Sequence, residues 1–115
     1  MKHLDIKLYK MEVIKGKEDV AREWLNFLKN SKEETVQTLK NEKVYLESYF
    51  LAEEDGTMFV YCFMAADNID KANQVASTSN NKLDEQHFKY GAECISKTSG
   101  DILDCFLYIE NLESL

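Results

Sequence analysis

KVYLESYFLAEEDGTMFVYCFMAA, from Lys43 to Ala66, is the stretch that decides the fold. Two runs rich in Val, Tyr, Phe and Leu flank Asp55-Gly56. That pair tolerates the positive φ angles of a tight two-residue turn, so the stretch reads as a β-hairpin. In the first run Val44, Leu46, Ser48 and Phe50 share one parity, and Tyr45, Glu47, Tyr49 and Leu51 share the other. Large side chains on both parities mean that both faces of the sheet need cover. One layer of helices covers a single face, which points to a second copy of the chain.

Working outward, His3 to Ile14 alternates apolar and polar residues and reads as a strand that Gly16 ends. Lys17 to Leu39 has helical spacing through Val20, Trp24, Leu28, Val36 and Leu39, with Glu18 and Asp19 in the first turn where the helix dipole favours acids. Ser31 to Glu34 has the S-x-x-E form of a capping box. The apolar stripe resumes in register beyond it, so one continuous helix is the preferred reading and a kink at Ser31 the alternative. After the hairpin, Asp67 to Asp70 looks like a helix start, with a short helix to Ala76. Lys82 to Cys94 reads as a weaker helix, Ser96 to Gly100 as a turn and Asp101 to Asn111 as the last strand. The order β-α-β-β-α-β predicts an α+β, ferredoxin-like fold. Its four-stranded antiparallel sheet carries helices on one face, in a single domain over residues 1–115.

The composition narrows the function classes. A formal net charge of −7 with no basic stripe argues against a nucleic-acid or anionic-membrane partner. Cys62, Cys94 and Cys105 form no CxxC pair, and their odd count suggests reduced thiols in a cytoplasmic protein. Met1-Lys2 leads into His3-Leu4-Asp5-Ile6 with no leader-like apolar run, and no segment has the length of a membrane span. His3 and His87 lie far apart with no metal-binding spacing, so no metal and no cofactor are expected.

Parity divides the strands into two sets. Leu4, Ile6, Leu8, Val44, Leu46, Phe50, Val60, Cys62, Met64, Leu103, Cys105, Leu107 and Ile109 are nearly all aliphatic and are expected against the helices. Asp5, Lys7, Tyr9, Met11, Tyr45, Glu47, Tyr49, Phe59, Tyr61, Phe63, Asp104, Phe106 and Tyr108 mix aromatics with charges. That second face would be an apolar patch of a kind monomers rarely leave in water, and is expected to meet its copy in a homodimer.

At this point the chain resembles the dimeric α/β-barrel superfamily. More narrowly, VYLESYFL (Val44 to Leu51), YCFMAADN (Tyr61 to Asn68) and HFKY (His87 to Tyr90), followed by the Asp104 strand, are similar to a bacterial domain-of-unknown-function family of about this length. The resemblance spans most of the chain and rests on strand and helix patterns rather than catalytic signatures. It implies a homodimer with an eight-stranded, barrel-like pair of sheets and, in some members, a small-molecule cavity between sheet and helices. Those members include cofactor-free monooxygenases, haem-degrading enzymes and small isomerase- or lyase-like proteins. Fold alone does not choose among them, and nothing singles out His87 as a haem ligand.

Two residues are candidates for catalysis. Glu47 lies between Tyr45 and Tyr49; buried, it would have a raised pKa and could act as a general base with tyrosines as donors. Its ordinary alternative is an ion pair with Lys7 in an interface, or a carboxylate reaching solvent. His87, three residues from both Asp84 and Tyr90, could move protons, or could be a surface helix residue bonded to its neighbours. Lys7, Tyr9, Tyr49, Tyr61, Asp104 and Tyr108 are candidates to line a ligand site, although aromatics equally build packed interfaces. Three functions stay open: a homodimeric barrel protein that binds a small molecule, a cofactor-independent monooxygenase- or isomerase-like enzyme, and a structural or regulatory dimerisation module.

Overall fold

The hairpin forms where Asp55-Gly56 puts it: β2 (Val44–Glu54) and β3 (Thr57–Ala66) are joined by these two residues, at φ 52° and 79°. The computed structural model describes residues 3 to 115; the reading that no leader opens the chain starts at Met1, outside them. With β1 (Asp5–Val13) and β4 (Ile95–Asp104) the hairpin makes an antiparallel sheet in the order β2-β3-β1-β4. Four helices cover one face: α1 (Glu18–Asn30), α2 (Lys32–Glu42), α3 (Ile69–Ser77) and α4 (Lys82–Cys94). This is the ferredoxin-like α+β architecture expected from the element order.

The helix breaks at Ser31, against the preferred reading of one continuous helix. The Ser31 hydroxyl makes no cap bond, so the capping-box pattern does not cause the break. The packing partners do: α1 lies against α4, whereas α2 lies against α3 and β2, and one straight rod cannot follow both. Asn68, not Asp67, caps α3, accepting from the Lys71 N–H at 2.9 Å.

β4 also departs from expectation. It starts at Ile95, directly after α4, because Val13 pairs with Ile95 and the Ile14 N–H donates to the Cys94 carbonyl at 2.8 Å. The next pair is Met11 with Gly100, so residues 96–99 loop out of the ladder. The turn-like Ser-Lys-Thr-Ser composition encodes this bulge, with the Ser96 hydroxyl accepting from the Thr98 and Ser99 N–H groups. Gly100 re-enters the sheet at φ 139°, where a Cβ would stand 2.7 Å from the Lys10 carbonyl oxygen. The strand ends at Asp104, and residues 105–111 leave the sheet, so Cys105 is exposed rather than packed under the helices.

The two faces are assigned differently from the parity reading on three of the four strands. A bulge between Val44 and Leu46 shifts β2 by one residue and inverts every side chain after it. Tyr49 therefore pairs with Cys62, and Glu47 with Met64, on the helix side. Register with β3 likewise turns Lys7, Tyr9 and Met11 toward the helices, opposite Met64, Cys62 and Val60. Asp104 and Ile102 follow through their pairing with Lys7 and Tyr9. The open face carries Phe59, Tyr61 and Phe63 as expected, but with Ile6, Leu8, Leu46, Phe50 and Leu103 beside them. It is thus more apolar than anticipated: Phe50 is 55% exposed, Leu46 52% and Leu103 48%.

Candidate functional site

The core beneath the helices is split. One cluster gathers Val13, Ala21, Trp24, Met58, Val60 and Cys94; the other gathers Val44, Ala66, Ile69 and Ala72. Leu28 and Tyr49 fringe the first, Leu39 and Met64 the second. These four side chains face a cavity of about 80 Å³, where the two clusters do not meet. The ionisable Glu42, Glu47, Asp84 and His87 also line it, with Thr35, Thr38 and Asn73 beside them. A wider groove of about 470 Å³ runs along α1, α2 and the edge strand β2, and shares Leu28, Thr35, Leu39, Glu47 and Tyr49 with the cavity.

Each ionisable wall residue has a local cause. The β2 bulge turns Glu47 and Tyr49 inward together, and the Tyr49 hydroxyl donates to Glu47 Oε1. Burial raises the Glu47 carboxyl above its usual pKa; the Tyr49 bond opposes this, and the Asp84 charge adds to it. Burial and then the Glu47 charge hold the Tyr49 phenol well above its usual value. Glu42 sits at the end of α2, just before Lys43 turns the chain at φ 56°. Desolvation, then Asp84 and then Glu47, push Glu42 up to about 7. Asp84 is the third residue of α4, whose first turn is held by the Asn81 side chain accepting from the Leu83 N–H at 2.7 Å.

His87 is one turn further along α4. Its Nδ1 accepts from Trp24 Nε1 at 2.9 Å, so the neutral ring carries its proton on Nε2. Burial lowers its pKa and the Asp84 charge opposes that only in part. Protonating Nδ1 would also displace the indole donor. The wall therefore combines a neutral imidazole with three carboxyls, one of which is near half-protonation at neutral pH. Such a set can exchange a proton with a bound group.

Of the sequence candidates, the fold gathers Glu47, His87 and Tyr49 at one cavity. The others lie elsewhere. Lys7 and Asp104 form an ion pair at 4.0 Å on neighbouring strands β1 and β4, so Lys7 is not the partner of Glu47. Tyr9 packs against the second core cluster. Tyr61 is on the open face, donating to Glu54 Oε2. Tyr108 lies on the C-terminal segment, where its hydroxyl accepts from the Leu4 N–H at 2.8 Å. Sequence reasoning missed Glu42 and the cavity role of Asp84, because their convergence with Glu47 depends on the Ser31 break and the β2 bulge. Among the described residues no group of three or more His, Cys, Asp or Glu side chains is placed to hold a metal ion. Among them, too, no helix is long and apolar enough to cross a membrane.

The fold has solved counterparts. A conserved protein from Methanosarcina mazei superposes with a TM-score of 0.54 at 18% identity, over 87% of this chain and 88% of that one. One from Nitrosomonas europaea, called a "putative antibiotic biosynthesis monooxygenase", gives 0.54 at 13% identity over 92% and 93%. A dimeric protein of unknown function and ferredoxin-like fold from Bacteroides fragilis gives 0.52 at 15% identity over 89% and 96%. At these identities the likeness establishes the fold alone. No curated protein matches the chain. The model of the Family of unknown function (DUF6176) matches residues 4–112, nearly the whole sequence, and the chain belongs to that family.

Proposed function

We propose that this protein is a homodimer that binds a small organic molecule between its helices and its sheet. The observation that carries the binding half is the convergence of Glu47, Tyr49, Asp84 and His87 on a cavity that continues into an apolar groove. Small-molecule sites have this make-up: mostly apolar walls with a few polar groups that fix orientation. The homodimer is supported by the open face, where Phe50, Leu46 and Leu103 stand about half exposed beside Phe59 and Phe63. The apolar C-terminal segment adds Phe106, Leu107 and Ile109 to what water would otherwise meet. The Bacteroides fragilis neighbour, a dimer of the same fold, is in keeping with this. A structural dimerisation module needs no such cavity, which weighs against that alternative.

Ligand-observed NMR with a fragment set tests the binding half. Fragments are expected to bind the native chain and to be displaced in Leu39→Trp, which fills the space between the core clusters. Absence of any binding that Leu39→Trp removes would refute it. Light scattering tests the dimer: Phe50→Glu is expected to give a folded monomer, and a native protein that is already monomeric refutes the face-to-face pairing.

The Tyr49–Glu47 hydrogen bond favours one second reading, a cofactor-independent monooxygenase- or isomerase-like enzyme. Glu47 would take a proton from an activated C–H bond, and His87 would move it. A bound carbon acid would then exchange its proton with deuterated water in the native protein and not in Glu47→Gln. If Glu47→Gln merely stabilises the fold and exchange is unchanged, the carboxylate is a burden of burial and the enzymatic reading falls.

A further inference from the structure

We infer that residues 105–111 of one chain cross to the second copy and lie along its strand β2, where they close the groove between helices and sheet. This rests on the homodimer reading above and makes the ligand site a product of two chains. Beyond Asp104 the chain leaves the sheet and carries Phe106, Leu107 and Ile109 into water, with Ile109 87% exposed. The segment is nevertheless held. The Leu4 N–H donates to the Tyr108 hydroxyl at 2.8 Å, and the Tyr108 ring lies against His3. Tyr108 ties the segment to the start of its own β1 while its neighbours project away. Among the described residues no backbone hydrogen bond engages 105–110. A run of large apolar side chains, anchored but unpacked, is a surface that monomers rarely leave in water.

The partner's β2 is the place it reaches. β2 and β4 are the opposite edges of the sheet, and β2 pairs with β3 alone. Along the strands the open face changes character. Ile6, Leu8, Leu46, Phe63 and Leu103 lie at one end, and Lys10, Glu12 and Glu54 toward the other. Of the two in-plane two-fold axes, the one along the strands brings apolar end onto apolar end. That axis also sets the β4 edge of each chain over the β2 edge of the other, so the exchange is reciprocal. The segment leaves β4 at the apolar end, because Asp104 is level with Lys7. The groove meets β2 at the same end, at Tyr45 and Leu46. Stacked sheets stand about 10 Å apart. Residues 105–111 extend to roughly 23 Å at ~3.3 Å per residue, enough to cross and then follow the strand. The chemistry is complementary too. Leu25, Val36, Leu39 and Leu46 give the groove apolar walls, and Lys29 and Lys32 also line it. Among the described residues neither lysine has an ion pair. Residues 105–115 carry Glu110 and Glu113 and no lysine or arginine. Leu107 and Ile109 cover the apolar walls while the two glutamates meet the two lysines.

Charge exchange between two variants of the whole chain tests this. Lys29→Glu with Lys32→Glu puts acid in the groove; Glu110→Lys with Glu113→Lys puts base on the segment. Each variant alone is expected to dimerise at least about tenfold more weakly than the native chain in light scattering over a dilution series, since like charges then face each other. Mixed, the two are expected to recover a heterodimer of native affinity, because opposite charges meet at both grooves. Variants that dimerise as the native chain does, or a mixture with no preference for the heterodimer, overturn the exchange and leave the homodimer standing. A native chain that is monomeric overturns both. A second measurement places a nitroxide on Ser114→Cys in a Cys105→Ser background, where Cys62 and Cys94 are buried and shielded from the label. Mixed with isotope-labelled native chain, it is expected to broaden the Val36 and Leu39 methyl resonances of that chain. Methyl resonances left sharp in a mixed dimer overturn the exchange.

Discussion

Replacing Glu42 by Gln should stabilise the protein, and only above a defined pH. The ordinary carboxyl pKa of 4.5 rises to about 7 in the folded chain, because burial and the charges of Asp84 and Glu47 oppose ionisation. Between those values the native state holds a proton that the unfolded state has lost. Stability from this group is therefore complete below 4.5 and is lost as pH rises through 7. Taken at face value, the gap corresponds to roughly 3 kcal/mol at 1.36 kcal/mol per tenfold change. Glu42 is only partly buried, and solvent screening brings the expected figure to about 1 kcal/mol. Gln keeps the shape and cannot ionise, so urea unfolding at a fixed protein concentration should show a gain of about 1 kcal/mol at pH 8. That corresponds to an increase in Tm of about 4 °C. At pH 4 the gain should vanish. His87 titrates with the opposite sign: burial lowers its pKa, so its contribution is lost as pH falls below 6.5. It is present in both proteins and cancels in the difference. A Glu42→Gln effect that does not change with pH, or that is larger at pH 4 than at pH 8, refutes the placement of Glu42 among the other acids.

Trp24→Phe leaves His87 Nδ1 without its donor, which should cost about 1–2 kcal/mol in chemical denaturation. It should also raise the His87 pKa in an NMR titration, since Nδ1 becomes free to take a proton; an unchanged pKa would mean the indole bond does not hold the tautomer. Gly100→Ala should cost about 2 kcal/mol, measured by thermal melting, from a Cβ driven to 2.7 Å from the Lys10 carbonyl at φ 139°. Asn81→Ala should lose about 1 kcal/mol with the cap bond to the Leu83 N–H. Ser31→Ala, whose hydroxyl caps nothing, should change stability by less than about 0.5 kcal/mol. Equal costs for these two in urea titrations would show that Ser31 holds the helix break after all.

Much of the fold could be read from the residues in order. Asp55-Gly56 announces the hairpin, the apolar stripe through Trp24 and Leu28 announces the first helix, and Lys82 to Cys94 is helical over the range its pattern indicates. Of the candidate site, Glu47, Tyr49 and His87 were legible as chemically interesting residues, but not as neighbours. Lys7, Tyr9, Tyr61, Asp104 and Tyr108 looked equally suitable and lie away from the cavity. The facing of β2 is not legible, because a one-residue bulge leaves no mark in its composition. Val44 and Tyr45 are as acceptable on one face as on the other.

Local order is a matter of short-range preference: turn chemistry, helical spacing and strand alternation depend on residues a few positions apart, and these set the elements and their succession. Which face of each strand meets the helices depends on register between strands far apart in the chain. The bulge at Val44, the break at Ser31 and the pairing of Tyr9 with Cys62 exist only once the layers pack. Those three features bring Glu42, Glu47, Asp84 and His87 to one cavity, because packing against different partners redirects each element by amounts that no local pattern records.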